Sequence, residues 1–348
     1  MIEIVPTIIS AACGFLVSVI VVAASLAYAR KRGLLDLPGQ RRSHTQPTPR
    51  GGGIGIVVAV LVCAMPVLTL LPRPRPLGTV IVLGLMLLAV AAVGWRDDHA
   101  PLPVLPRIGV HLFTALATGA LLLLPVAQSD PRLWVWLIPV SIIIAGSINA
   151  HNFMDGIDAL LGMQATFVLI GYALLARQMD QTALTAAALT SATACLGFLL
   201  FNRPPARIFM GDVGSGTLGW LLAAFAGLLV QRSFAMLWPC AILSSAFIVD
   251  AGLTLLARML TGKRWYTAHR EHLYQWMVRA GFSHARTDAM YLAWNLIIAA
   301  PAAWATTRWP SLGVAICAAV YAGACVVWCS GKRACLTSAR QRFSHDAA

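Results

Sequence analysis

A chain of 348 residues in which 59% are hydrophobic and only 11% charged, with a mean hydropathy of +0.76, has too little polar surface to fold as a soluble globular protein. Its net charge of +13 does not require nucleic acid, since Lys and Arg in loops beside anionic headgroups account for it in a polytopic membrane protein. The apolar stretches show no period-two alternation, which excludes a barrel.

In chain order, runs of roughly 20 apolar residues predict membrane helices near 7–29, 52–72, 77–95, 107–126, 133–149, 158–177, 183–201, 213–231, 235–256, 290–306 and 311–329. The first resembles a secretory leader, with Ala27-Tyr28-Ala29 as a cleavage site. No cationic segment precedes it and Arg30-Lys31-Arg32 follows it, so it is expected to remain as an uncleaved span. If that span runs outside to inside, all Lys and Arg except Arg73, Arg75, Arg132, Arg177, Arg232 and Arg308 fall on the cytoplasmic side. This asymmetry supports both the count and the orientation. The eight cysteines form no Cys-x-x-Cys pair and read as small apolar residues rather than a disulfide frame or zinc site. The expected architecture is all-α: one polytopic membrane domain over 1–348 with about eleven transmembrane helices. Its active-site loops are cytoplasmic, at 30–51, 96–107, 149–158, 202–219 and 257–289, and a short cytoplasmic tail occupies 330–348.

The polar chemistry gathers in those loops. The first carries Arg41, Arg42, His44, Pro47, Pro49 and Arg50 and runs into Gly51-Gly52-Gly53 at a helix start. Fixed cations and exposed backbone N–H groups there would hold phosphate oxygens; glycines that merely let helices approach closely are the plainer alternative. The second loop ends a span with Trp95-Arg96-Asp97-Asp98-His99. Adjacent carboxylates repel, so they call for a cation, a shared proton or exposure to water.

Residues 149–158 place Asn149, His151, Asn152, Asp155 and Asp158 between two long apolar runs. Polar groups so placed usually face a cavity, a partner or an ion, although a loop with two helix caps would also be polar. Further on, Arg203 and Arg207 precede Asp212 and the run Gly214-Ser-Gly216-Thr-Leu-Gly219. That run matches G-x-G-x-x-G, but it follows no strand and opens a membrane helix, so no dinucleotide fold is implied. One acid beside anion-binding backbone suits a hard divalent cation bridging acid and phosphate.

In the longest loop, Lys263, Arg264, Trp265, Tyr266, His269, Arg270, His272 and Tyr274 make a basic and aromatic segment. His269 and His272, spaced i, i+3, could share a helical face. Further soft ligands for zinc are lacking, so phosphate or sugar binding fits better than a metal, with an amphipathic surface helix as the alternative. Asp250, within the preceding apolar run, is expected to be a buried partner or site wall.

Together these residues call for a Mg²⁺-dependent reaction of phosphate groups at a membrane surface. In order and content, His44 with Pro47-Thr-Pro-Arg-Gly-Gly, Asp97-Asp98, Asn149 to Asp158, Phe209-Met-Gly-Asp212 with Gly214-Ser, and Arg270-Glu-His272-Leu resemble the polyprenyl-phosphate N-acetylhexosamine-1-phosphate transferases. That family, glycosyltransferase family 4, includes the muramoyl-pentapeptide translocase and the enzymes that start O-antigen on undecaprenyl phosphate. The resemblance covers about 30–290. It implies ten or eleven helices, catalysis on the cytoplasmic face of the bacterial inner membrane, Mg²⁺ with Mn²⁺ as an alternative, undecaprenyl phosphate and a UDP-N-acetylhexosamine, among membrane lipids, with room for a homodimer.

By motif match, Asp212 would be the magnesium ligand, aided by Asn152, and Asp98 the base beside Asp97. Asn149, Asn152, Asp155 and Asp158 would line the nucleotide-sugar site, and His44, Arg50, Arg203, Arg207, His269, Arg270 and His272 would bind substrate. Tyr274 and Gln275 stand where related enzymes often carry histidines. That departure favours the O-antigen branch over a peptidoglycan-type transferase and suggests that this loop meets the sugar. A proton-coupled transporter would instead hold its acids at mid-membrane depth in inverted repeats, and CDP-alcohol phosphotransferases require an Asp-x-x-Asp-Gly pattern that Asp155-Gly-Ile-Asp158 does not reproduce.

Overall fold

The computed structural model describes residues 4–36, 47–264 and 269–346. It is a helical membrane bundle. In chain order its helices are α1 (Ile4–Arg32), α2 (Ile54–Leu70), α3 (Leu77–His99), α4 (Val104–Ala127), α5 (Pro131–Phe153), α6 (Leu160–Gln178), α7 (Thr182–Asn202), α8 (Asp212–Arg232), α9 (Phe234–Leu243), α10 (Ser245–Leu260), α11 (Leu273–Arg279), α12 (His284–Arg308) and α13 (Pro310–Ser338). Among the described residues, nine helices are long and apolar enough to cross a membrane, or ten if α9 and α10 make one span.

Two of the eleven expected spans differ from a straight crossing. The one at 235–256 is broken at Ser244, where α9 and α10 meet at 74°. The carbonyl of Leu243 at the break accepts from Gln164 Nε2 at 3.3 Å, and Trp294 Nε1 donates to Ser245 Oγ at 3.1 Å. Polar side chains from neighbouring helices thus supply partners that the interrupted helix lacks. The span at 52–72 reduces to the shorter α2, about 25 Å long at 1.5 Å per residue. It contains a π turn at Val60–Ala64, just ahead of Pro66, and α12 repeats the device with a π turn at Asn295–Ala299 ahead of Pro301. A proline ring crowds the carbonyl four residues back, and widening the turn relieves it.

The centre is α8. Of its apolar window 78% is buried, against 22% for α1 at the periphery. Small residues explain how so many neighbours reach it. A Cβ on Gly214 would lie 2.6 Å from Gly53 Cα, and one on Gly219 would lie 2.5 Å from the Ser147 carbonyl oxygen. α1 and α7 meet in the same manner: Ser10, Gly14 and Ser18 form a small-residue stripe at four-residue spacing. Ser18 Oγ donates to the Ala194 carbonyl at 2.7 Å, and Thr193 Oγ1 to that of Ala11 at 2.7 Å. In lipid, where no hydrophobic force drives helices together, such packing and hydrogen bonds, averaging about 0.6 kcal/mol each, do that work.

The connections that carry the expected site converge at one end of the bundle. A two-residue antiparallel pairing, β1 (Leu35–Asp36) with β2 (Thr48–Pro49), closes the first. The expected tail beyond 330 continues α13 as helix, to Asp346.

Candidate active site

Asp97 ends α3 and Asp212 begins α8, and Arg107, one turn into α4, joins them. Its Nη1 lies 2.9 Å from Asp97 Oδ2 and its Nη2 3.0 Å from Asp212 Oδ2. Asp97 also accepts the Leu102 N–H at 2.6 Å, fixing the turn between α3 and α4. Asn152, in the last turn of α5, faces Asp212 and donates to Ser215 Oγ at 3.0 Å. Four helix ends therefore place two carboxylates, an amide and a guanidinium together, all half-buried.

Asp98 lies deeper, at 4% exposure. Its Oδ1 accepts the Asp212 N–H at 3.0 Å and its Oδ2 that of Val213 at 3.1 Å. It is thus the cap of α8, supplied by a remote segment, and satisfies the first free amides of that helix. Gly211, at φ +76°, makes room: a Cβ there would sit 2.5 Å from Asp98 Oδ2. Arg50 is the cation that faces Asp98.

Asp155 occupies the turn after α5 and senses Asp212, Asp98, Asp158 and Asp36 around it. Desolvation first, and these neighbouring charges next, hold its carboxyl well above the usual carboxylate range. Asp158 turns away from this group. Its Oδ2 accepts the Ala206 N–H at 3.1 Å and lies 3.3 Å from His284 Nδ1. With Asn202, which accepts from the Ala159 N–H and donates to the Ile208 carbonyl, it fastens the loop that presents exposed Arg203 and Arg207.

The last connection closes the site from the side. Asp250 in α10 accepts from Leu273 N at 2.8 Å, Tyr291 Oη at 2.7 Å and Trp328 Nε1 at 2.9 Å, so it caps α11 as Asp98 caps α8. It is the buried partner its sequence context suggested. His269 and His272 precede α11 and do not share a helix, yet their rings stand 5.0 Å apart beside Phe153. Burial, then the charges of His272 and Arg258, lower His269 to about 4; burial also lowers His272.

Several expectations change with this geometry. The amides of Gly52 and Gly53 donate to the carbonyls of Phe209 and Met210 at 2.9 and 2.8 Å, so they are not available to phosphate. The glycines serve close packing. Tyr274 is fully buried, and its hydroxyl donates to the Phe153 carbonyl at 3.0 Å; Gln275 Oε1 accepts the His272 N–H at 3.3 Å. Asn149 turns to His111 and to its own helix, where Nδ2 donates to the Ala145 carbonyl at 2.7 Å. Arg270 stands in the described part of the last connection. His44, Trp265 and Tyr266 lie outside the described residues. Arg107 was missed as a site residue because, in sequence, it is one more cytoplasmic cation. His284 stands outside every motif.

Among the described residues, no three His, Cys, Asp or Glu side chains converge as a ready-made metal cage. Two carboxylates and an amide oxygen do fit Mg²⁺, which takes one or two protein acids and completes its shell with substrate phosphates and water. Arg107 marks the place between the acids where positive charge is favoured.

Comparison with known proteins places this helical membrane bundle, with its acid cluster at one end, in a class of membrane transferases. The family described as glycosyl transferase family 4 matches residues 80–230, from α3 through most of α8. The decaprenyl-phosphate N-acetylglucosaminephosphotransferase of Mycolicibacterium smegmatis is 30% identical over 312 residues, 78% of this chain and 75% of that protein. The phospho-N-acetylmuramoyl-pentapeptide-transferase of Levilactobacillus brevis is 28% identical over 277 residues, 74% and 84% of the two chains. Its counterpart in Lacticaseibacillus paracasei is 34% identical over 143 residues, 40% and 43%. The chain belongs to this family, the polyprenyl-phosphate phosphosugar transferases that its motifs resemble.

Proposed function

We propose that this protein transfers an N-acetylhexosamine-1-phosphate from a UDP-sugar to undecaprenyl phosphate, releases UMP, and so starts a lipid-linked O-antigen or related envelope polysaccharide. The site would lie on the cytoplasmic face of a bacterial inner membrane, a placement that the distribution of Lys and Arg supports. The observation that carries the reading is the Asp97–Arg107–Asp212 bridge at a helix-end junction, where a cation and acids able to hold a metal stand together to neutralise phosphate charge. The relatives named as N-acetylglucosaminephosphotransferases support N-acetylglucosamine as the first sugar to examine.

Mg²⁺ held by Asp212, with Asn152 and Asp97 at hand, would neutralise the pyrophosphate of the UDP-sugar. Arg107 would then turn from the acids to phosphate oxygens, and Arg203 and Arg207, exposed on the loop fastened by Asp158, would meet the nucleotide end. A polyprenyl phosphate, with a second pKa of about 6, is largely dianionic at neutral pH. Its oxygen attacks the sugar-bearing phosphorus; a new P–O bond forms as the bond to UMP breaks. With the nucleophile already ionised and both Asp98 oxygens engaged by α8, Asp98 is assigned to positioning rather than proton removal.

The test is to incubate membranes containing the protein with undecaprenyl phosphate, Mg²⁺ and a panel of UDP-sugars that includes UDP-N-acetylmuramoyl-pentapeptide. One sugar should yield a lipid-linked sugar phosphate together with UMP, and added UMP should reverse the reaction. UDP as the product, or a sugar transferred without its phosphate, would refute the proposal; the pentapeptide substrate would move the chain to the peptidoglycan branch.

A further inference from the structure

A second set of polar groups, not used by the acid cluster, lies beneath the last connection. The Nδ1 atom of His269 is buried without a hydrogen-bond partner; that of His272, beyond hydrogen-bond distance, lies 3.8 Å from Asp250 Oδ1, and His272 is 2% exposed. The cations nearby are mostly satisfied. Arg258 and Lys263 both pair with Glu271, at 2.8 and 3.0 Å. Asp250 is occupied by the donors that cap α11 and anchor Tyr291 and Trp328.

Lys332 stands apart. It lies on α13, far along the chain from the last motif at Arg270–Leu273, and among the described residues it makes no ion pair. Its Nζ rests 4.2 Å over the Trp328 ring, and that ring is fixed by the Trp328–Asp250 hydrogen bond of 2.9 Å. Leu273 packs over Gly331, where a Cβ would meet its Cδ1 at 3.3 Å, so α13 is docked directly on the histidine connection. The Lys332 ammonium acts electrostatically on His269, His272, Asp250 and Glu271. With His269 lowered to about 4, the imidazole is neutral at physiological pH, so positive charge in this cluster comes from its neighbours.

We propose that Lys332 is a further substrate-binding residue, its ammonium completing with His269 and His272 a pocket for a phosphate-borne negative charge. The indole holds one face of the ammonium and leaves its N–H donors for an anion. The inference rests on the phosphosugar reading above. Its ligand is a phosphate group, carried by the nucleotide sugar or by the lipid acceptor.

Lys332→Met keeps most of the stem on Trp328 and removes the charge; Lys332→Arg keeps the charge. KM is measured for UDP-sugar and for undecaprenyl phosphate in turn, with the other substrate saturating. Loss of one charge-assisted contact should raise KM for one substrate by about tenfold, with kcat changed far less, and Lys332→Arg should recover most of it. The substrate whose KM moves identifies the source of the phosphate. Unchanged KM values in Lys332→Met overturn the proposal, as does Lys332→Arg being equally impaired with a lowered thermal transition, which would make Lys332 only a packing partner of Trp328. A wild type that releases no UMP refutes the functional reading instead. Equilibrium dialysis of inorganic pyrophosphate without metal then still decides, since binding to wild type and Lys332→Met must differ.

Discussion

Asp98 caps the helix that Asp212 begins: its carboxylate accepts the Asp212 N–H at 3.0 Å although 114 residues separate them. The acid expected to move a proton is thereby tied to the placement of the acid expected to hold the metal.

Asp98→Asn should therefore lower stability and activity together. An amide in place of the carboxylate presents N–H against the Val213 N–H, and loss of a cap costs about 1–2 kcal/mol. The thermal transition in detergent should fall, and activity should not recover at high pH. Recovery above neutrality would restore the assignment of Asp98 as a base.

Asp212→Asn should reduce turnover by at least about 100-fold, because the cation that would neutralise the phosphates loses its principal carboxylate ligand. Its fold should persist, since the Asp212 side chain, unlike that of Asp98, bonds no backbone of α8. Phosphate-transfer assays paired with thermal scans separate the two variants.

Arg107→Met should slow turnover yet leave Asp97 and Asp212 facing each other without their shared donor. Mg²⁺ should then raise the thermal transition of the variant at a lower concentration than it does for wild type. An unchanged Mg²⁺ midpoint would show that the two acids do not share a cation.

Gly156 tests how the last connection is attached. A Cβ at Gly156 would collide with the Tyr274 hydroxyl. Gly156→Ala should inactivate, and adding Tyr274→Phe, which removes that oxygen and its bond to Phe153, should restore part of the activity. Tyr274→Phe alone should cost about 1 kcal/mol, the value of one hydrogen bond. Lack of any rescue in the double variant would count against this contact.

Two groups set opposite slopes of stability against pH. His269, lowered from 6.5 to about 4, stays neutral where the unfolded chain takes up a proton, so stability falls as pH drops from about 6.5 toward 4. Asp155, raised above its unfolded value, contributes stability that is complete below the ordinary carboxylate pKa and is lost as pH rises through its folded value. His269→Gln should flatten the acid limb of the thermal transition, and Asp155→Asn the limb above it.

The sequence by itself determined the class of fold, since runs of about 20 apolar residues have one stable form in lipid, and it determined which connections share an end, since spans alternate. Side-chain types in those connections were sufficient to suggest phosphate chemistry and the family. Tertiary structure decided what each polar residue does. Asp97 and Asp98 are neighbours in sequence, yet one meets Arg107 and the other caps α8, because successive helical residues point about 100° apart. Gly53 and Gly214 resemble phosphate cradles when read singly, but together they are a contact between two backbones. Arg107 and Lys332 read only as loop charges until packing of distant helices set each beside its partners. Such roles depend on contacts between residues far apart in the chain, and local pattern carries no record of them.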